Sequence, residues 1–295
     1  MSIFENVTNR VQGETHGRSV MIIDFHVHTA RYKTITPAYR NLLQGAWGDR
    51  LDWMVDTYSS PEAFVDLMDE SGIDYAVVLA ELAPITTGIA DNEYVGQFCS
   101  RSRRLIPFAS INPFLCANPA EELENLVRNR GFKGLKLYPT YQQYYPNDAM
   151  IYPIYSKAQE LGIPVSLHIG SSVFAGSRLK YGDPIYLDDV AADFPDLVLL
   201  QCHSGRPFWY DKAFSLARMH KNIYLEISGL PPGRLPLYFP ELERIAHKVV
   251  YGSDWPGVPT IKENIQAIKS LDISEDSARK ILGENGCRLL GLCGP

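Results

Sequence analysis

The chain is short of most features that assign a protein to a class at sight. No apolar run approaches the roughly 20 residues a membrane-spanning helix requires, so no membrane partner is expected. Residues 1–20 carry Glu5 and Glu14 and no apolar segment, so they do not read as a secretory signal and are set apart as an N-terminal extension. Positive charge is not in excess. Lys and Arg number 28 against 34 Asp and Glu, a net charge of −6 that offers nothing to nucleic acid. The five cysteines (Cys99, Cys116, Cys202, Cys287, Cys293) are odd in number, widely spaced and without a C-x-x-C pair. That usage fits a reduced, cytoplasmic protein better than a disulfide framework. No glycine-rich fingerprint follows the first apolar run, which weakens a nucleotide-binding open sheet. No repeat, low-complexity tract or linker marks a second domain.

What is present is an alternation. Strand-like runs fall near 20–26, 73–80, 105–111, 132–138, 163–169, 197–203, 223–228 and 248–253, with amphipathic segments between them. Ser60-Pro61 opens one helix and Gly72 closes it; Asn118-Pro119 and Gly131 frame another. Further helices are expected over 91–103, 150–161, 186–194, 208–220, 237–247, 260–270 and 274–290. Eight strand–helix alternations in 295 residues favour an α/β fold of one domain over 21–295, a closed (β/α)8 TIM barrel. One irregular insertion, 29–59, separates the first strand from its helix. It carries Arg31, Tyr32, Lys33, Arg40, Trp47, Arg50, Trp53 and Tyr58, and a loop of that length reads as a lid over the catalytic face.

Several strand ends carry residues that bind metals or move protons: MIIDFHVH (21–28), VSLHIG (165–170), VLLQCHSG (198–205) and VVYGSDWP (249–256). In a parallel barrel these ends open onto one face, where such barrels hold their active sites. Strand alternation puts Asp24, His26 and His28 on one side. Two imidazoles at that spacing can grip one ion, and Asp24 is placed to support them by hydrogen bonding. His168 and His203 end neighbouring strands, and Asp254 ends the last. Imidazole and carboxylate suit zinc and other first-row divalent ions, and an open position on such an ion lowers the pKa of bound water.

In these motifs, in GFKGLKLYP (131–139) and in the closing segment ILGENGCRLLGL (281–292), the chain resembles the amidohydrolase superfamily. More narrowly it resembles the amidohydrolase-related branch, which includes aminocarboxymuconate-semialdehyde and resorcylate decarboxylases and lactone hydrolases. The resemblance implies a distorted (β/α)8 barrel. It implies His26, His28, His168 and Asp254 as metal ligands and His203 as a catalytic or substrate-polarising residue. It further implies one divalent ion per chain, zinc foremost and Mn2+ or Fe2+ as alternatives, and pairing of two copies as a homodimer.

Lys136 lies in the fourth strand. Some superfamily members carboxylate a lysine there to bridge two metals; a buried, paired lysine or a partner for a substrate carboxylate is the favoured reading. Glu226 has inward parity on the seventh strand. Arg178 and Arg206 follow strands five and six and are candidates to hold a substrate carboxylate. Tyr138, Tyr141, Tyr144 and Tyr145 are placed to line the mouth, and Trp47 and Trp53 of the insertion to touch substrate. The expected activity is hydrolysis of a small carboxylated ester, lactone or amide by metal-activated water, with Asp254 as base and His203 stabilising the oxyanion. Non-oxidative decarboxylation of a small aromatic or dienoic acid uses the same ligands and is the alternative. A catalytically inactive metal-binding barrel is the second.

Overall fold

The computed structural model describes residues 21–29 and 33–293. The N-terminal extension, Arg31 and Tyr32 lie outside the described residues. Eight strands form one sheet in chain order: β1 Ile23–Val27, β2 Tyr75–Leu79, β3 Leu105–Ser110, β4 Gly134–Leu137, β5 Val165–Gly170, β6 Leu199–Arg206, β7 Ile223–Glu226 and β8 Val249–Val250. Every adjacent pair is parallel. The segment after β8 closes the barrel against β1. Phe25 N–H donates to Tyr251 O at 3.0 Å, Asp254 N–H to His26 O at 3.0 Å and His28 N–H to Trp255 O at 2.8 Å. The expected TIM barrel is the observed fold.

Each strand is buried on both faces, which is why the strands read as near-continuous apolar runs. One face packs under the surrounding helices in the main core: Val78, Leu135, Val165, Leu167, Leu199, Ile223 and Leu225 belong to it. The other face fills the lumen. Its floor is apolar (Ile23, Phe25, Val77, Leu79, Ile106, Phe108, Leu200 and Val250). Lys136, Ser166, Cys202 and Glu226 are also fully buried, and share strand parity with the lumen side chains. Close approach requires glycine at two points. A Cβ at Gly134 would overlap the Phe108 ring, and one at Gly283 the Met21 carbonyl.

Helix boundaries follow the capping residues. Ser60 caps Pro61–Ser71 and Gly72 ends it in the left-handed region; Gly131 does the same for Pro119–Arg130. Three expectations are corrected. The 29–59 insertion is mostly helix, Pro37–Trp47, a 3-10 turn at Gly48–Arg50, and Leu51–Tyr58. Thr36 caps the first of these, Pro37 takes its first position, and Tyr39 and Leu43 bury one face. Asp24 does not share a face with His26 and His28. The register of β1 shifts between Asp24 and Val27, so Phe25 enters the lumen against Phe108, and Asp24 Oδ1 accepts from Ser253 N–H at 2.8 Å. Finally, Cys287 and Cys293 are joined by a disulfide, leaving Cys99, Cys116 and Cys202 free. Gly291, left-handed with φ 64°, turns the chain after Asn285–Leu289 and brings the two Cα atoms within 5.4 Å. One local pair is still not a framework. Among the described residues no helix is long and apolar enough to cross a membrane.

Candidate metal centre

The site is built on bent backbone. His203, Ser204 and Asp254 have φ of 65°, 46° and 67°, a region that L-residues other than Asn and Asp enter at a cost. Such strain persists where surrounding structure imposes it, often at functional sites. Here β6 kinks at His203-Ser204 and turns the imidazole over the lumen, while the Asp254 N–H bond to His26 O ties that carboxylate to β1.

Three ligand atoms converge. His26 Nε2 and His28 Nε2 are 3.1 Å apart, and Asp254 Oδ1 lies 3.6 Å from the first and 3.8 Å from the second. The circle through these atoms has a radius of about 2.0 Å, against typical zinc–nitrogen and zinc–oxygen distances of about 2.0–2.2 Å. The spacing of the three atoms is that of a group able to share one ion. Protonation agrees. Burial, then the Lys136 charge, hold His26 well below its usual range and press His28 down to about 3, so both rings are neutral and able to ligate. Burial raises the Asp254 carboxyl, opposed by Arg206 and Lys136.

A second layer orients the first. His26 Nδ1 is 2.9 Å from Glu226 Oε2, which places the ring proton on Nδ1 and leaves Nε2 for an ion. Glu226 is pushed up to about 7, chiefly by burial, with Lys136 and Ser228 opposing. Ser228 Oγ donates to Glu226 Oε2 at 2.8 Å and sits 3.0 Å from both His26 Nδ1 and His203 Nδ1. His203 Nδ1 donates to Ser228 O at 3.0 Å, so Nε2 is its free nitrogen.

The other sequence candidates divide. His168 lines the same cavity but stands apart from the three-residue group, with Nε2 3.3 Å from Ser171 O and its ring against Tyr141 and His203. Arg206 lines the cavity and donates to Gly229 O at 2.9 Å; it is the only lysine or arginine among the described cavity-lining residues. Arg178 does not reach the cavity. Its side chain is exposed at the edge of the 3-10 turn Leu179–Gly182. Lys136 is fully buried with its Nζ 5.2 Å from the centre of the Tyr138 ring; among the described residues that nitrogen makes no hydrogen bond, and the residue is not part of the cavity wall. Trp47 and Trp53 also miss the cavity: Trp47 donates to Pro256 O at 2.8 Å and packs with Trp53 and Trp255, and Arg50 covers Trp53. The insertion reaches the cavity through Tyr39 and Leu42 instead. Tyr138 and Tyr141 line it; Tyr144 and Tyr145 do not.

Two residues escaped the sequence reading. Ser228 ends the seventh strand-like run, 223–228, and shares the inward parity of Glu226. Glu81 stands one residue past the second strand-like run, 73–80; it opens a small antiparallel hairpin, Glu81–Ala83 with Gly88–Ala90, that follows β2. Its Oε2 lies 3.4 Å from His28 Nδ1, and burial pushes its carboxyl up to about 7 against the hydrogen bond from Thr87. A charged residue just beyond a strand end was the available signal.

Fold and site together define a parallel β/α barrel with a histidine–carboxylate group, able to hold an ion, at the C-terminal ends of its strands. The amidohydrolase family model matches residues 23–292, and the chain belongs to that family. It is similar to an uncharacterised TIM-barrel protein from Bordetella bronchiseptica, at 22% identity and a TM-score of 0.75, with 92% of this chain and 98% of that one covered. It is similar to a dihydroxybenzoic acid decarboxylase from a Polaromonas species with bound manganese and the inhibitor 2-nitroresorcinol (18% identity, TM-score 0.72, coverage 93% and 98%). A 5-carboxyvanillate decarboxylase from Novosphingobium aromaticivorans, complexed with manganese and 4-hydroxy-3-methoxy-5-nitrobenzoic acid, is similar at 16% identity and a TM-score of 0.69, with coverage of 92% and 96%. No curated protein matches the chain. At these identities the likeness to solved structures carries the fold.

Proposed function

We propose that the protein is a metal-dependent carboxy-lyase that removes CO2 from a small aromatic carboxylic acid without net oxidation or reduction. The observation that carries the reading is the cavity itself. About 250 Å3 in volume, it brings together the His26–His28–Asp254 group, His203, one guanidinium and the rings of Tyr39, Tyr138, Tyr141 and Phe174. That is below the roughly 300–1,000 Å3 of drug-sized pockets and suits a single ring. The two decarboxylases named above support the same choice. Hydrolysis, favoured on the sequence alone, has weaker support, since neither of those relatives is a hydrolase.

His26, His28 and Asp254 would hold the ion; His168, a ligand on the sequence expectation, lines the same cavity outside that group, its Nε2 turned to Ser171 O. The nitrogen–oxygen donor set accepts zinc, expected from the sequence, and equally manganese, bound by two relatives. When bound, the ion supplies Lewis-acid stabilisation of negative charge on substrate oxygens. Arg206 pairs with the substrate carboxylate, and the aromatic walls hold the ring. Asp254, whose Oδ2 lies 3.9 Å from His203 Nδ1, and the free Nε2 of His203 are the groups placed to carry protons at the cavity. A proton carried by the Asp254 carboxyl would add to the ring carbon, the electron pair of the carbon–carboxylate bond would return to the ring as CO2 leaves, and solvent would restore the proton. Water exclusion by Tyr39 and Phe174 protects the step.

The test sets metal-loaded and chelator-treated protein against benzoates with and without ring hydroxyls, and against lactones and aryl esters, with CO2 and acid release followed separately. Chelator-sensitive CO2 release from an aromatic acid is expected. Acid release from lactones or esters without CO2 would establish hydrolysis, and tight metal binding with no turnover would favour the inactive barrel.

A further inference from the structure

Glu81 is a buried carboxylate at the cavity that the proposed reaction does not use. Its two oxygens are committed in different directions. Oε1 accepts from the Thr87 hydroxyl across the hairpin, and Oε2 faces His28 Nδ1 at 3.4 Å. That nitrogen is buried and, among the described residues, has no hydrogen-bond partner. A neutral imidazole that holds an ion through Nε2 carries its proton on Nδ1, and an N–H buried without an acceptor is costly. Hydrogen bonds of this kind are often long in an unliganded site and tighten on loading.

We propose that Glu81 is a positioning residue for His28: it accepts the Nδ1 proton when Nε2 engages the ion, as Glu226 does for His26. The assignment rests on the metal reading of the site and not on the choice of decarboxylation. Glu81 itself stays outside the ligand group, because its oxygen faces the nitrogen of His28 opposite to the one that converges with His26 and Asp254. The hairpin that carries it is fixed to the insertion as well. Thr36 N–H donates to Thr87 O at 2.9 Å and Thr36 Oγ1 to Thr86 O at 2.6 Å. Thr36 also caps Pro37–Trp47, the helix that presents Tyr39 to the cavity. Hydrogen bonds thus tie the N-terminus of that helix to the hairpin and, through the Thr87 hydroxyl, to Glu81.

The experiment measures Zn2+ affinity of the full-length protein by competition with a chromophoric chelator, together with the visible spectrum of the Co2+-substituted form. It compares wild type with Glu81→Gln, Glu81→Ala and His28→Ala. Glu81→Gln keeps size and an acceptor but loses charge; Glu81→Ala loses the acceptor. Zn2+ affinity is expected to fall in the order wild type, Gln, Ala, with a total loss of about 10–100-fold, the range of outer ligand partners. One ion per chain is expected at saturation, with a shifted Co2+ band. Thermal unfolding of the metal-free variants separates loss of affinity from loss of fold, and the near-isosteric Gln variant keeps the test open if Ala does not fold. Wild-type affinity and an unshifted spectrum in Glu81→Gln and Glu81→Ala would overturn the proposal. So would a loss in Glu81→Gln equal to that in His28→Ala, which would make Glu81 a ligand. Wild type that binds no ion would overturn the metal reading beneath it.

Discussion

His203→Asn separates holding the ion from moving the proton. His203 lies beside the triad rather than in it. Its nearest Asp254 oxygen is Oδ2 at 3.9 Å, whereas Oδ1 is the atom that converges with His26 and His28. Its Nδ1 is committed to Ser228 O, and its Nε2 is the nitrogen left for substrate. Asparagine is the replacement to use because it tolerates the left-handed backbone at this position, φ 65°, and its amide can still donate to Ser228 O. It is too short to supply what Nε2 supplies. Loss of a general acid–base group costs about 10²–10⁴-fold, so kcat should fall by about 10³-fold. Metal content, read by elemental analysis after dialysis, should stay near one ion per chain, while His26→Asn should lose it. Equal loss of metal from the two variants would show His203 to be a ligand and refute this division of roles.

Asp24 is raised to about 6, chiefly by burial. The folded state therefore binds the proton that the unfolded chain has released, and stability falls as pH rises from about 4 through 6, by about 3 kcal/mol in total. Metal-free Asp24→Asn, which keeps the acceptor for Ser253 N–H, should be stabilised relative to wild type at pH 8 more than at pH 4 in thermal unfolding; parallel profiles would count against it. Gly134→Ala should cost about 1–3 kcal/mol by driving a methyl into the Phe108 ring. Adding Phe108→Leu should recover part of that in denaturant titrations, and strict additivity would contradict the contact. Tyr39→Ala should raise KM about tenfold, equivalent to about 1.4 kcal/mol, whereas Trp53→Ala, which touches Arg50 and Trp47 away from the cavity, should leave it unchanged.

Strand positions were legible because a doubly buried parallel strand must be apolar on both faces, and VSLHIG falls directly on β5. Helix ends were legible where Ser60-Pro61 and Gly72 mark them. The placement of His26, His28 and Asp254 on one face followed from topology alone. What stayed hidden depends on contacts distant in sequence. The shift in β1 that turns Asp24 away answers the closure of the barrel against 251–255. Helical phase, not aromatic content, decides that Tyr39 and Leu42 face the cavity and Trp47 faces Trp255. The pairing of Glu226 with His26 joins residues 200 apart, and Glu81 depends on a hairpin that its own apolar neighbours disguise as a continued strand. Arg178 could not be told from Arg206 until the loop after β5 was seen to turn its side chain outward.

Anomalous diffraction from a crystal of the manganese-loaded protein tests the central claim most directly. One peak per chain is expected, within bonding distance of His26 Nε2, His28 Nε2 and Asp254 Oδ1. A peak displaced into the lumen among His26, Cys202 and Glu226, the other group of potential ligands among the described residues, or no peak at a concentration that supports turnover, would contradict it.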